Sequence, residues 1–303
     1  MCFENAGHGR GKLCSENAGL VMKLNRLVAL LPLLGQRGLG SQCSLSTVRS
    51  TAASGSNVYE SSRAVHEYLL FHYGNDEDIM PYDFGPKQAL HFNQRSASIC
   101  NKYASKGSQR ALDIGCAVGG SSFELAKYYQ QVVGIDFSHK FIEAANEMKV
   151  NGVVDYTVLK QGSVYMNRTS ILDEAIDRNR VQFMQGDACN MSTSLDTFDV
   201  ILGSNLLCRL PDPRKFLRDI PRYLKSDGIL VLISPYSWLE EYTKQSNWVG
   251  AANNEDSFHV LKDEMKRNKL QLIHQEDIPF IIREHERKFQ YGVSDLTIWK
   301  KHD

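Results

Sequence analysis

The chain has 303 residues, 42% of them hydrophobic and 23% charged, and its formal net charge at pH 7 is zero. A length of this order carries a prior of about two domains, and a neutral chain gives no reason to expect a nucleic-acid or acidic-surface partner, which favours a small-molecule substrate. The seven cysteines (Cys2, Cys14, Cys43, Cys100, Cys116, Cys189, Cys208) are odd in number and nowhere spaced C-x-x-C; this argues against a disulfide framework and a zinc site, and for a reducing compartment.

Residues 1–57 differ in make-up from the rest. No acidic residue occurs between Glu16 and Glu60, Lys23, Arg26, Arg37 and Arg49 are basic, and hydroxyls crowd Ser41 to Ser62. That is the composition of a mitochondrial transit peptide, so a disordered leader and a mitochondrial destination are expected; an unstructured extension of a cytoplasmic protein is the alternative. The apolar run Leu27 to Leu34 is too short to span a bilayer, and no membrane partner is expected. Cys2-Phe3-Glu4-Asn5-Ala6-Gly7 is echoed by Cys14-Ser15-Glu16-Asn17-Ala18-Gly19, a repeat with no evident physical use, and Met22 is a second candidate start.

From residue 58 to 303 one catalytic domain is expected. An amphipathic helix runs over Ser61 to Tyr73 and ends at Gly74. After the aromatic turn Pro81 to Pro86, a second helix covers Lys87 to Ala104, and the two together form a candidate lid. Five short apolar strands follow: Ala111–Ile114, Gln131–Asp136, Val181–Gln185, Phe198–Leu202 and Gly228–Ile233. Helices separate them at Ser138 to Val150, with Ser138 as N-cap, and at Pro213 to Leu224, with proline in the first turn. Tyr156 to Arg180 is a longer insertion than such a connection needs. A helix over Phe258 to Lys266 precedes two last strands, Leu270–Gln275 and Phe289–Trp299. The expected fold is α/β: seven strands, mostly parallel and covered on both faces, with a final antiparallel hairpin and an N-terminal helical lid.

Ligands in such sheets sit outside the carboxyl ends of the strands. After the first strand, Asp113-Ile114-Gly115-Cys116-Ala117-Val118-Gly119-Gly120 is a glycine turn that fits two templates. One is the dinucleotide fingerprint with its second glycine replaced; the other is the acid-first loop that holds S-adenosylmethionine. Asp136 ends the second strand where an acid accepts both ribose hydroxyls, and Phe137 beside it can pack on adenine. Asp187 and Ala188, in Gly186-Asp187-Ala188-Cys189, stand where a carboxylate and a backbone N–H would meet the adenine edge. Asn205 after the fourth strand faces the methionine part or the substrate, and Arg209 is a candidate carboxylate clamp. Cys116 and Cys189 read as small residues where bulk would clash. The acid of the third strand tips the balance toward S-adenosylmethionine, with a dehydrogenase as the weaker reading. No metal is expected.

These blocks occur together with Glu67-Tyr68-Leu69-Leu70-Phe71-His72-Tyr73-Gly74, Asn205 through Pro213, Ser234-Pro235-Tyr236-Ser237-Trp238-Leu239-Glu240-Glu241, and Ile282-Arg283-Glu284-His285-Glu286-Arg287-Lys288-Phe289-Gln290. As a set, over about Tyr59 to Lys300, they closely resemble the methyltransferase domain at the C-terminus of ovothiol-synthesising enzymes, the mercaptohistidine N-methyltransferases. The cofactor loop is generic to class I methyltransferases, with their Rossmann-like sheet; the last two blocks are much more particular. The resemblance implies methyl transfer from S-adenosylmethionine to an imidazole nitrogen of 5-thiohistidine. Ovothiol synthases carry this domain behind an iron-dependent sulfoxide synthase module, which the sequence does not supply. A free-standing methyltransferase with a separate sulfoxide synthase upstream is therefore expected, and histidine or another imidazole stays open as acceptor. Other expectations are a class I methyltransferase acting on a different small molecule and a catalytically silent binding protein.

From the family-specific blocks, Arg209, Arg283 and Arg95 are cations for a substrate carboxylate, and Glu240 or Glu284 is an acid for its amine. Tyr82, Phe84, Tyr236 and Trp238 are candidate walls for a flat ring. Tyr236 and His285 are candidate catalytic residues that would hold the ring tautomer.

Overall fold

The computed structural model describes residues 56–302 apart from Asn253. All of them fall in the compact unit Ser50–Asp303. Apart from residues 56 and 57, the leader expected over 1–57 lies outside the described residues.

A short 3₁₀ turn, Ser56–Glu60, leads into helix α1 (Ser62–Tyr73), where the Ser61 side chain accepts the Ala64 N–H as N-cap. A one-turn helix α2 (Asp76–Ile79) and helix α3 (Phe92–Tyr103) follow. The continuous helix expected over Lys87 to Ala104 is interrupted: Lys87–Ala89 forms a 3₁₀ turn, and His91 adopts a left-handed φ of 57°. Strand β1 (Arg110–Ile114), helix α4 (Gly120–Leu125), strand β2 (Gln131–Asp136) and helix α5 (His139–Asn151) come next. Ser138 caps α5 by accepting the Phe141 N–H. The insertion is itself an antiparallel hairpin, β3 (Val153–Gln161) with β4 (Val164–Ile171). Its alternation is of period 2, with Val154, Tyr156 and Val158 turned to the core. Strands β5 (Val181–Gln185) and β6 (Phe198–Ser204), helix α6 (Pro213–Asp219), strand β7 (Leu224–Ser234), helix α7 (Ser257–Arg267), and strands β8 (Leu270–His285) and β9 (Lys288–Lys301) complete the fold.

The main sheet has seven strands in the order β5-β2-β1-β6-β7-β9-β8. The first five run parallel, and β9 lies antiparallel to both β7 and β8. Parallel strands covered on both faces bury successive side chains on opposite sides: Ala111 and Val200 belong to the core on the side of α1, α3, α4 and α5, while their chain neighbours Leu112 and Ile201 belong with Phe216, Leu261 and Met265 to the core on the other side. The last hairpin is much longer than the sequence pattern indicates, pairing Leu270 with Lys301 at one end and His285 with Lys288 at the other. Pro279 interrupts the apolar pattern, yet β8 is an edge strand, where proline is tolerated.

Candidate functional site

The carboxyl ends of β1, β2, β5 and β6 open into a cavity of about 770 Å³. Strand order reverses at β1, so the turns after β1 and β6 part in opposite directions and leave a crevice between them.

The turn after β1 forms the floor. Gly115 and Gly119 take φ of +75° and +90°, conformations that a side chain resists. A Cβ on Gly119 would come 2.5 Å from the Phe183 ring, and one on Gly115 would meet Leu206 at 3.0 Å. Ala117 also has a positive φ, 47°. The turn is held by β2: Gly115 N and Cys116 N donate to the Ile135 carbonyl at 2.7 and 3.1 Å. Ala117 N donates to Asp136 Oδ2 and Ser138 N to Asp136 Oδ1, both at 2.9 Å. Burial pushes the Asp136 carboxyl up to about 6, against the lowering effect of the Ser138 and Ala117 N–H groups.

Asp113 is 1% exposed and accepts the Ser122 hydroxyl at 2.6 Å, tying α4 to β1. Burial pushes it up to about 7, with the Ser122 hydrogen bond opposing and the nearby Asp136 charge adding. After β5, Asp187 shapes its own turn by accepting Cys189 N at 2.8 Å and Asn190 Nδ2 at 2.6 Å. After β6, Asn205 takes a φ of 50°, donates its backbone N–H to the Ile233 carbonyl, and accepts the Ser294 hydroxyl at 2.8 Å. Beside it the buried Ser204 Oγ lines the cavity with no hydrogen-bond partner among the described residues. Burial pushes the Cys116 thiol well up and that of Cys189 up to about 11, so both stay thiols near neutrality.

The N-terminal helices close the other side. Tyr73 Oη donates to the Val118 carbonyl at 2.6 Å, Ser121 Oγ to Asn93 Oδ1 at 2.8 Å, and Gly120 N to His72 Nδ1 at 2.9 Å. With Nδ1 occupied as acceptor, the His72 proton sits on Nε2; burial pushes this imidazole down to about 3, so it stays neutral. An aromatic wall stands above. The Tyr59 ring lies 6.2 Å from Tyr68, 5.8 Å from Phe141 and 6.1 Å from Tyr242, and Tyr68 lies 4.9 Å from Phe141. The Arg209 guanidinium sits 4.8 Å over the Tyr242 ring and donates to the Ser237 carbonyl at 2.8 Å.

Of the residues singled out in the sequence, Asp113, Gly115, Cys116, Ala117, Asp136, Phe137, Asp187, Ala188, Asn205 and Arg209 line this one cavity. Gly119 lies just behind it, at the start of α4. The remaining candidates for acceptor binding and catalysis sit elsewhere. Tyr236 donates to Asp295 at 2.8 Å, inside the sheet. Trp238 is buried, donates to Ser257 and stacks on Trp248. Tyr82 stacks on Phe84 and donates to the Glu286 carbonyl, while Phe84 is 89% exposed and walls nothing. Arg95 caps the Leu90 and Pro279 carbonyls, and Glu240 faces solvent. Arg283, Glu284 and His285 line a different, smaller cavity. The physical reason is that Tyr236, although it follows the carboxyl end of parallel β7, turns its hydroxyl to Asp295 on β9, and that Arg283, Glu284 and His285 end β8 beside α1 and β3, where only their neighbour Ile282 reaches the main cavity. Tyr59, Tyr68, His72, Asn93, Ser204 and Tyr242 line the main cavity without having been expected there. Helical spacing in α1 places Tyr68, Phe71 and His72 on one face, a signal that was legible; nothing local marks Tyr242.

The residues present fit S-adenosylmethionine: an acid at each of three strand ends, glycines where a Cβ would intrude, and an unpartnered buried hydroxyl at the fourth. Among the described residues no cluster of three or more His, Cys, Asp or Glu could hold a metal ion, and no helix is long and apolar enough to cross a membrane.

Residues 105–286, more than half of the chain, match the sequence profile described as "Methyltransferase domain". The chain is 25% identical over 132 residues to the uncharacterized methyltransferase YcgJ of Bacillus subtilis, covering 44% of this chain and 43% of that protein. It is 28% identical over 185 residues to norajmaline N-methyltransferase of Rauvolfia serpentina, covering 57% and 54%. The chain thus spans about half the length of these curated relatives, or less. Among solved structures, the [4+2]-cyclase SpnF superposes with a TM-score of 0.51 at 15% identity, over 81% of this chain and 94% of that one, a likeness of fold alone. The sheet order, the cavity at the parallel strand ends and the profile match agree: the chain belongs to the methyltransferase domain family, with the Rossmann-like fold of the S-adenosylmethionine-dependent enzymes.

Proposed function

We propose that this chain transfers a methyl group from S-adenosylmethionine to an imidazole nitrogen of 5-thiohistidine. The observation that carries the reading is that the three acid-bearing turns open into the same cavity as Arg209 and the aromatic wall. A flat ring bearing a carboxylate has its two requirements there, aromatic faces and a guanidinium. The particular blocks of the sequence support the thiohistidine assignment, and the similarity to an N-methyltransferase supports a nitrogen acceptor.

Asp136 and Asp187 would hold the ribose hydroxyls and the adenine edge, and Ser204 and Asn205 the amino-acid end. S-adenosylmethionine supplies a methyl group already activated by its sulfonium. The protein has to align the acceptor nitrogen, exclude water and fix the acceptor's protonation. Arg209 would pair with the acceptor carboxylate. Neutral His72, with its proton on Nε2, would donate a hydrogen bond to a bound ligand and orient it, while burial makes it too weak a base to remove a proton. A separate sulfoxide synthase would supply the thiohistidine, and the acid-poor leader supports a mitochondrial setting, which cell fractionation would test.

The decisive assay mixes purified protein and S-adenosylmethionine with 5-thiohistidine or with histidine and reads product mass. The reading predicts that thiohistidine gains one methyl group. S-adenosylhomocysteine binding without product from either acceptor would overturn the acceptor assignment while leaving the cofactor site intact.

A further inference from the structure

Helix α1 forms a wall of two cavities. Tyr68, Phe71 and His72 face the large one; Arg63, His66, Glu67 and Leu70 face a second, of about 200 Å³, closed by β3, β4 and the end of β8. This second space uses the two features of the chain that the cofactor site leaves idle, the inserted hairpin and the Arg283-Glu284-His285 block.

Its two acidic lining residues are already paired. Glu67 pairs with Arg63 at 2.7 Å, and Glu284 pairs with Lys288 at 2.6 Å. Arg283 is 5% exposed, yet its guanidinium forms no ion pair among the described residues. One amino group donates to the Asp78 backbone carbonyl, while the Asp78 carboxylate is taken by Arg168 at 2.7 Å. The Arg283 Nε–H has no partner among the described residues. Arg283 thus has no carboxylate at pairing distance among the described residues; Glu286 and Asp78 act on it only from farther off, and Arg168 opposes them. A buried cation without a directly paired anion, and with a donor unsatisfied, is costly, and a cavity beside it offers the remedy. His66 hydrogen-bonds Thr157 at 3.1 Å and burial lowers its pKa, so it adds no charge; His285 Nδ1 accepts the Arg287 N–H.

We infer that this cavity binds a small anion, a carboxylate or phosphate no larger than an amino acid, with Arg283 as its counter-ion. The site is separate from the one that takes the methyl donor.

Thermal melting of the full chain in sodium phosphate, in sodium acetate and in sodium chloride of matched ionic strength tests this. The expected result is a saturable rise in Tm of about 2–4 °C or more for one of the first two salts over chloride, and which salt acts identifies the anion class. The rise should vanish in Arg283→Met. It should also vanish in Leu159→Trp, which fills the cavity and leaves Arg283 in place, so a folding defect in the first variant does not obscure the answer. Equal melting of the wild type in all three salts overturns the inference, and so does a rise that survives Leu159→Trp.

Discussion

The two sides of α1 differ in how their chemistry is assembled. Toward the large cavity, function-bearing groups come from four parallel strands whose carboxyl ends are obliged by topology to share one edge. Their acids are fastened by backbone donors, Asp136 by Ala117 and Ser138, and Asp187 by Cys189. Toward the small cavity, the polar groups come from α1 itself, the inserted hairpin and the end of β8, and most are consumed in pairing. A residue at a parallel strand end is therefore held ready for a ligand, whereas a residue in the distinctive late blocks serves first to fasten the hairpin.

That contrast predicts its strongest consequence at Asp136. Asp136→Ala removes the clamp on the Gly115–Gly119 turn together with the acid facing the cavity. Charge-assisted hydrogen bonds are worth about 1.5–3 kcal/mol each, so calorimetry should show S-adenosylhomocysteine affinity falling by about 100-fold or more. An unchanged affinity would erase the distinction between the two sides.

Arg209→Met should come next, raising the acceptor KM by about 10–100-fold while the dissociation constant for S-adenosylhomocysteine stays within about 3-fold. Steady-state kinetics with both substrates varied would read the split, and a parallel rise in both constants would move Arg209 out of the acceptor pocket.

Asp113 and Asp136 give a pH dependence of opposite sign to that of ordinary paired acids. Their carboxyls are raised from 3.8 to about 7 and about 6, mainly by burial. The folded state holds these protons more tightly than the unfolded chain. Their contribution to stability is complete below pH 3.8 and is lost as pH rises through 6 and 7. Melting curves of the cofactor-free protein should show this decline, and Asp113→Asn should flatten it, raising Tm at pH 8 by roughly 2–4 °C for each kcal/mol recovered. A steeper decline in the variant would contradict the assignment.

The smallest effect is expected at Tyr236, despite its place in a distinctive block. Tyr236→Phe loses one hydrogen bond to Asp295, which keeps Gln275 as partner. Stability should fall by about 1 kcal/mol with turnover nearly unchanged. A collapse of kcat with normal melting would restore Tyr236 to catalysis.

The sequence was most legible where one short motif fixes both conformation and chemistry. Gly115, Asp136 and Asp187 could be placed together because each follows an apolar strand, and parallel strands deliver such turns to one edge. The aromatic wall was harder to read, since Tyr59, Phe141 and Tyr242 are distant in the chain and meet only through tertiary packing. Trp238 and Phe84 misled for the opposite reason: local aromatic density marks a pocket and a packing core equally well, and here one fills the core and the other faces solvent. The β3–β4 hairpin escaped because, although β3 alternates, its partner β4 buries only Ser170 and so carries little apolar pattern. Pro279 hid the length of β8, because only its place at the sheet edge makes it acceptable.

The central claim is that a sulfonium nucleoside is held where β1, β2 and β5 end. A crystal structure of the complex with S-adenosylhomocysteine tests it most directly. The account predicts the nucleoside between Asp136 and Asp187, with the amino-acid end toward Ser204 and Asn205. Density for the ligand at any other place on the molecule would contradict it.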